Sequence, residues 1–248
     1  MPGPVTASSW WLARECVYPW TSGIPWPVRR PSWAATLGTI SHALIEQAID
    51  QLNGGPGVPK GAVVGTARQN QLAAQNKVLA LSWLGGAART GAKLQPELAL
   101  SYMGGQLGSP TRLHVHRDYK VLGEVTIAGT ADLVVTSPLP GGGASVRVFD
   151  WKTGLYAEPY TSRARQQILC LSAMHPGPDV AAGAAVYLDA RGASVREVVV
   201  PVDTLEIQIT RAKFAQVEAA LLSKQGPRPG LHCSGCPIRT RCPEYGGQ

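Results

Sequence analysis

The sequence predicts an α/β fold in which a β-sheet is flanked by helices. Three observations predict it. Apolar residues recur at helical spacing between residues 38 and 84, and again between 160 and 224. Alternating or short apolar runs, the mark of strands, fill residues 96–152 and return at 183–200. Hydrophobic residues make up 44 % of the 248, enough to bury a sizeable core. Neither an internal repeat nor a domain-sized linker interrupts the chain, so residues 1–248 read as one domain.

Residues 1–15 carry Trp10, Trp11 and Leu12 ahead of Cys16 and read as a short helix or hook packed onto the body. Residues 17–36 hold Pro19, Trp20, Pro25, Trp26, Pro27, Pro31 and Trp33, with Arg29 and Arg30 among them. Proline at this density forbids a long helix. The mixed aromatics and arginines suit either a clamp on single-stranded nucleic acid or an apolar seal over the core. Gly38 opens a helix running to about Leu52, with Leu44, Ile45, Ala48, Ile49 and Leu52 as its apolar stripe. His42 and Glu46 stand one turn apart on one face of it. A lone helical histidine is more often structural than a ligand.

Residues 53–57 (Asn-Gly-Gly-Pro-Gly) break that helix, and the Ala- and Gln-rich stretch 66–84 forms a second. Strand patterns follow at 97–102, 113–115, 121–127 and 129–135, the last bearing Asp132. Residues 138–143 make a hairpin loop into the strand 146–152, so the last two strands pair antiparallel. Asp132 and Asp150 then fall at neighbouring positions. Residues 160–174 are helical, with Arg163, Arg165, Gln166 and Gln167 in the early turns. Such side chains suit phosphate contact, or simply a solvated first turn. A hairpin at 183–200 and an amphipathic helix at 202–224 (Leu205, Ile209, Phe214, Val217, Leu221) complete the body.

Composition narrows the partners. Only 16 % of residues are charged, yet the net charge is +7 and the pI about 9.3. A basic excess on a sparsely charged chain points to a polyanion, most often nucleic acid, against the plainer reading of simple solubility. No apolar run reaches the ~18 residues that suggest a membrane span. The N-terminus lacks the basic start and apolar core of a secretory signal, so a reducing cytoplasm is expected. There, clustered cysteines favour metal ligation over disulfides.

The densest chemistry lies in Val146-Arg-Val-Phe-Asp150-Trp151-Lys152-Thr153-Gly154. Residues two apart on a strand share a face, so Asp150 and Lys152 project together and Trp151 opposite. On its own this pair reads as a surface ion pair of little worth. Of five cysteines, Cys170 sits in an apolar helical stretch and reads as a core thiol. Cys233, Cys236 and Cys242 form Cys-x2-Cys-x5-Cys in the tail, and Cys16 is the remaining thiol to complete a set of four, with His232 as a substitute. Four thiolates fit zinc or an iron–sulfur cluster, and would join the two ends of the chain through elements at 10–20 and 230–245.

Taken together, the chain resembles the RecB-like branch of the PD-(D/E)XK nucleases. Within it the likeness is to the iron–sulfur members, such as CRISPR-associated spacer-acquisition exonucleases and the AddB-type nuclease domain. The residues that carry the likeness are Gly38-Thr39-x-x-His42-x-x-x-Glu46, Gly129-Thr130-Ala131-Asp132, Asp150-Trp151-Lys152-Thr153-Gly154, Gln167 and the four cysteines. One departure is that Leu171 stands where the family has an aromatic four residues after the glutamine. The resemblance implies a restriction-endonuclease-like core with a central mixed β-sheet. It implies Mg²⁺ or Mn²⁺ held by His42, Asp132, Asp150 and the Trp151 carbonyl, with Asp132, Asp150 and Lys152 catalytic.

It further implies a 4Fe–4S cluster on Cys16, Cys233, Cys236 and Cys242, with structural zinc as the alternative. Gln167, Arg163 and Arg165 would hold DNA of single-stranded character, and Glu46 and Glu97 would support the site. The expected activity is that of a metal-dependent DNA exonuclease in a prokaryotic or phage-infected cytoplasm. A second copy of the chain, or a protein of recombination or CRISPR adaptation, would be its protein partner. Two rivals remain at this point. One is a DNA-binding or assembly module on a nuclease fold with little catalysis. The other is a structural zinc protein whose strand acids form only an ion pair.

Overall fold

The computed structural model of the chain describes residues 3–27, 31–57, 64–87, 91–113, 119–153, 162–177 and 180–245. Its elements, in chain order, are β1 (Val5–Thr6), α1 (Trp10–Ala13), α2 (Tyr18–Thr21), α3 (Trp33–Leu52), α4 (Ala67–Ala87), β2 (Lys93–Met103), β3 (Gln106–Leu107) and β4 (Thr111–Arg112). There follow β5 (Ile127–Pro138), β6 (Ala144–Thr153), α5 (Ser162–Met174), β7 (Val180–Asp189), β8 (Ser194–Val200) and α6 (Thr204–Leu222). Of two short 3-10 turns in the tail, Leu231–Gly235 holds Cys233 and is followed by Cys236, and Arg239–Arg241 is followed by Cys242.

The described strands form one mixed sheet in the order β3-β2-β5-β6-β7-β8, with β1 beside β5 and β4 beside β2. The β5–β6 hairpin is antiparallel, as its loop predicts, with Leu133 opposite Phe149. β6 and β7 run parallel, because α5 carries the chain back across the sheet between them. The fold is thus the α/β sheet with flanking helices that the periodicities predict.

Strand alternation divides the core between the two faces. On one face Leu133, Val135, Phe149, Trp151 and Val186 pack against Ile45 and Ile49 of α3 and Ala80 and Leu84 of α4. Trp83 of α4 meets Phe149 and Trp151 edge-on, with centroids 5.0 and 5.4 Å away. On the other face Val134, Val146 and Val148 pack against Ile168 and Leu171 of α5 and Phe214 of α6. Trp10 joins that cluster, its ring 4.9 Å from Phe214 and nearly perpendicular to it. The N-terminal hook is therefore a core element, and Cys170, fully buried, is a core thiol.

Four details differ from the sequence reading. The first long helix begins at Trp33 rather than Gly38, because the Ser32 side chain caps it by accepting from the Ala35 N–H. Residues 121–127 form no strand before Ile127. Tyr119–Leu122 makes a 3-10 turn with Val121 exposed, and Gly123 at φ +74 turns the chain. In α6 the buried face is Ile207, Thr210, Phe214 and Val217, whereas Leu205 and Ile209 are exposed. The apolar residues on several sides of that helix left its inward face ambiguous. In α3, Leu52 is exposed at the helix end. Arg29, Arg30, residues 114–115 and Gly154 lie outside the described residues.

Candidate active site

Asp150 and Lys152 on β6 project from one face of the sheet, opposite the core residue Trp151, as alternation requires, and Asp132 stands beside them on β5. Gln167, on the second turn of α5, sits above them. Its amide donates to Asp150 Oδ1 at 2.6 Å, and its carbonyl accepts from Lys152 Nζ at 3.2 Å. Lys152 also forms an ion pair with Asp150 Oδ2. One glutamine therefore orients both members of the pair. Asp132 is held from the other side, Oδ2 accepting from the Trp151 N–H at 2.7 Å.

α3 crosses the C-terminal end of β6. It can do so because Gly38 has no side chain: a Cβ there would stand 3.0 Å from Thr153 Oγ1. One turn on, the His42 Nδ1 lies 3.3 Å from Asp132 Oδ1, and its Nε2 lies 3.1 Å from the Trp151 carbonyl. Glu97 completes the group from β2. The β2–β5 register puts Pro96 opposite Leu133 and Leu98 opposite Ala131, so Glu97 faces Asp132. Glu97 is 3 % exposed and has φ +49, rare for a residue with a side chain.

His42, Glu97 and Asp132 each offer a ligand atom, all within 4.8 Å of one another. Among the described residues they are the one set of three or more so placed. Opposed ligands around a Mg²⁺-sized ion stand about 4.2 Å apart, and this donor set of carboxylate oxygens and one imidazole suits Mg²⁺ or Mn²⁺. The residues present therefore fit a divalent ion. Asp150 is not in that set, being engaged by Lys152 and Gln167.

Electrostatics separate the two aspartates. Burial pushes Asp132 up, but the neighbouring His42 and Lys152 charges outweigh it and hold its carboxyl below the usual range. Burial, with the Asp132 charge, holds Asp150 above the usual range despite Lys152. Burial lowers His42, yet Asp132, Glu97 and Asp150 together raise it to about 9. Burial likewise disfavours the Lys152 ammonium, and Asp150 more than compensates. The raised value favours the imidazolium form of His42 beside Asp132, so a metal ion bound there would compete with a proton.

The remaining sequence candidates fall elsewhere. Arg165 forms an ion pair with Glu206 of α6, while the Arg163 side chain lies outside the described residues. Glu46, 7 % exposed, has Arg112 of β4 at 3.7 Å, and Arg112 also donates to Asp50 of α3 at 2.6 Å. Sequence reasoning missed Arg112 and Asp50; the one signal was a second α3 acid spaced four residues from Glu46. Cys16, Cys233, Cys236 and Cys242 line one small cavity with Leu12, Tyr18 and Ile238. Burial raises the Cys236 thiol, and the other three cysteines raise it further. No three of these sulfurs approach one another within 4.8 Å, so the metal junction of the two chain ends is not shown by their positions.

A family model described as the PD-(D/E)XK nuclease superfamily matches residues 7–243. Among solved structures, the crystal structure of SSO0001 is similar at 14 % identity and a TM-score of 0.42, over 99 % of this chain and 88 % of that one. No curated protein matches at a significant level. Among the described residues, no helix is long and apolar enough to cross a membrane.

Proposed function

Because the chain belongs to the PD-(D/E)XK nuclease superfamily, we propose that it is a Mg²⁺- or Mn²⁺-dependent DNA exonuclease of the RecB-like, iron–sulfur branch. The observation that carries the reading is the convergence of His42, Glu97, Asp132, Asp150, Lys152 and Gln167 from five elements on one end of the sheet. A bound divalent metal supplies an acidified water and charge relief at the scissile phosphate. His42, Glu97 and Asp132 would hold it, with Asp150 and the Trp151 carbonyl beside them. The Lys152 ammonium, restrained by Gln167, orients the attacking water and attracts the phosphate oxygens. Gln167 and the basic first turn of α5 guide the strand.

The four cysteines lining one cavity support a cluster. Structural zinc on the same four thiolates is the alternative occupant. The net charge of +7 agrees with DNA as the partner. Single-stranded character, a role in recombination or CRISPR adaptation, and a cytoplasmic setting belong to the same reading through the family branch.

The test is Asp150→Ala and Lys152→Ala. Both variants should fold, bind DNA with near-native affinity and lose Mn²⁺-dependent cleavage by at least ~10²-fold. Cleavage that survives in purified Lys152→Ala overturns the assignment. A protein that binds DNA but never cleaves it with Mn²⁺ is instead the assembly-module reading.

A further inference from the structure

Arg112 lies outside the acids and base described above, yet its contacts link the two backbone elements that carry His42 and Glu97. It sits on β4, two residues long, which pairs with β2 so that Arg112 is opposite Leu98. The next residue, Leu113, donates its N–H to the Glu97 carbonyl at 3.4 Å. Residues 112–113 thus hold the backbone at the Glu97 carbonyl and at Leu98, on the C-terminal side of Glu97.

The Arg112 side chain reaches the other way, to α3. Nη1 donates to Asp50 Oδ1 at 2.6 Å, and Nη2 lies 3.7 Å from Glu46 Oε1. These carboxylates stand one and two turns beyond His42. Both are buried, Glu46 at 7 % and Asp50 at 8 % exposure. Asp50 is fixed further by the Gly57 N–H at 3.2 Å. Buried carboxylates need a charged partner, and a planar guanidinium spans two of them where an ammonium meets one.

Glu97 has reason to need support. At φ +49 it occupies a region that L-residues with side chains rarely adopt, and such a conformation persists only where the surroundings hold it. The conformation aims its carboxylate into the set with His42 and Asp132. We propose that Arg112 is a positioning residue, a strut from α3 to β2 that keeps Glu97 turned into the metal site at its distance from His42. The inference rests on the proposed metal-dependent function. It adds a residue outside the proposed ligand set of His42, Glu97 and Asp132.

Direct Mn²⁺ binding tests it, followed by calorimetry or by the loss of free-ion paramagnetic resonance, on the full chain without DNA. Wild type should bind, and Asp132→Asn should not; equal binding by the two defeats the metal-site reading itself. Given that difference, Arg112→Gln should weaken Mn²⁺ binding about tenfold, in the range usual for groups that orient ligands. Arg112→Lys should recover only part of it. Glu97→Gln should weaken binding similarly, and the double variant should be no worse than Glu97→Gln alone. Unchanged affinity in a folded Arg112→Gln, or losses that simply add in the double variant, overturns the proposal. If Arg112→Gln fails to fold, the comparison of Arg112→Lys with and without Glu97→Gln decides it in the same way.

Discussion

Asp132→Asn should weaken a pH dependence that the wild-type protein shows in the absence of metal. His42 is raised to about 9 in the folded chain by Asp132 and its neighbours, against an ordinary 6.5. A raised histidine stabilises the fold fully below pH 6.5, and that contribution is lost as pH climbs through 9. At 1.36 kcal/mol per pH unit, the span amounts to about 3 kcal/mol, an upper figure for a side chain that is 18 % exposed. For a chain of this size that corresponds to a fall in Tm of roughly 6–12 °C. In Asp132→Asn the amide oxygen can still accept from the Trp151 N–H, but the charge is gone. Only Glu97 and Asp150 are then left to raise His42 against burial, and this part of the slope should shrink. Thermal unfolding in EDTA at pH 6, 7, 8 and 9 measures both proteins. The two proteins differ at one residue, so the difference between their slopes is the readout. A flat wild-type profile, or equal slopes, refutes the His42–Asp132 coupling. The same coupling predicts that Mn²⁺ binds more tightly as pH rises towards 9, because the displaced proton costs less.

Other expectations concern packing and the cysteines. A Cβ at Gly129 would lie 2.6 Å from Ala7 Cβ and 2.8 Å from Leu171 Cδ2, so Gly129→Ala should cost about 1–3 kcal/mol, read as a lowered denaturant midpoint. An unchanged midpoint would refute the close strand–helix contact at Gly129. Protein purified without oxygen should be brown, absorbing near ~400 nm. Cys16→Ser should lose both colour and iron, whereas a colourless, zinc-loaded wild type contradicts the cluster. Arg165→Gln should change stability by at most about 1 kcal/mol, because its pairing with Glu206 is partly exposed. A larger loss would mean that the α5–α6 junction depends on that pair.

Much of the site was legible because its parts are local. The short loop after Pro138 forces β5 against β6, and that alone makes Asp132 a neighbour of Asp150. The period of two puts Lys152 beside Asp150, and the crossover from β6 to β7 brings α5 and Gln167 over them. Glu97 and Arg112 were less legible, because their importance comes from long-range pairing. Glu97 becomes a ligand-set member only through a left-handed conformation at one strand residue, which no propensity announces. Arg112 belongs to a two-residue strand, too short to leave a period. Arg165 looked free in the sequence because its partner, Glu206, lies on a helix forty-one residues later.

The central claim is metal-dependent hydrolysis of DNA from its ends, and one digestion addresses it most directly. Anaerobically purified wild-type protein is incubated with end-labelled linear DNA, single- and double-stranded, and with a closed circle, each with Mn²⁺ or with EDTA. The account predicts progressive shortening of the linear DNA with Mn²⁺, no cleavage in EDTA, and a circle that survives. Linear DNA left whole in Mn²⁺, or cut equally well in EDTA, contradicts it.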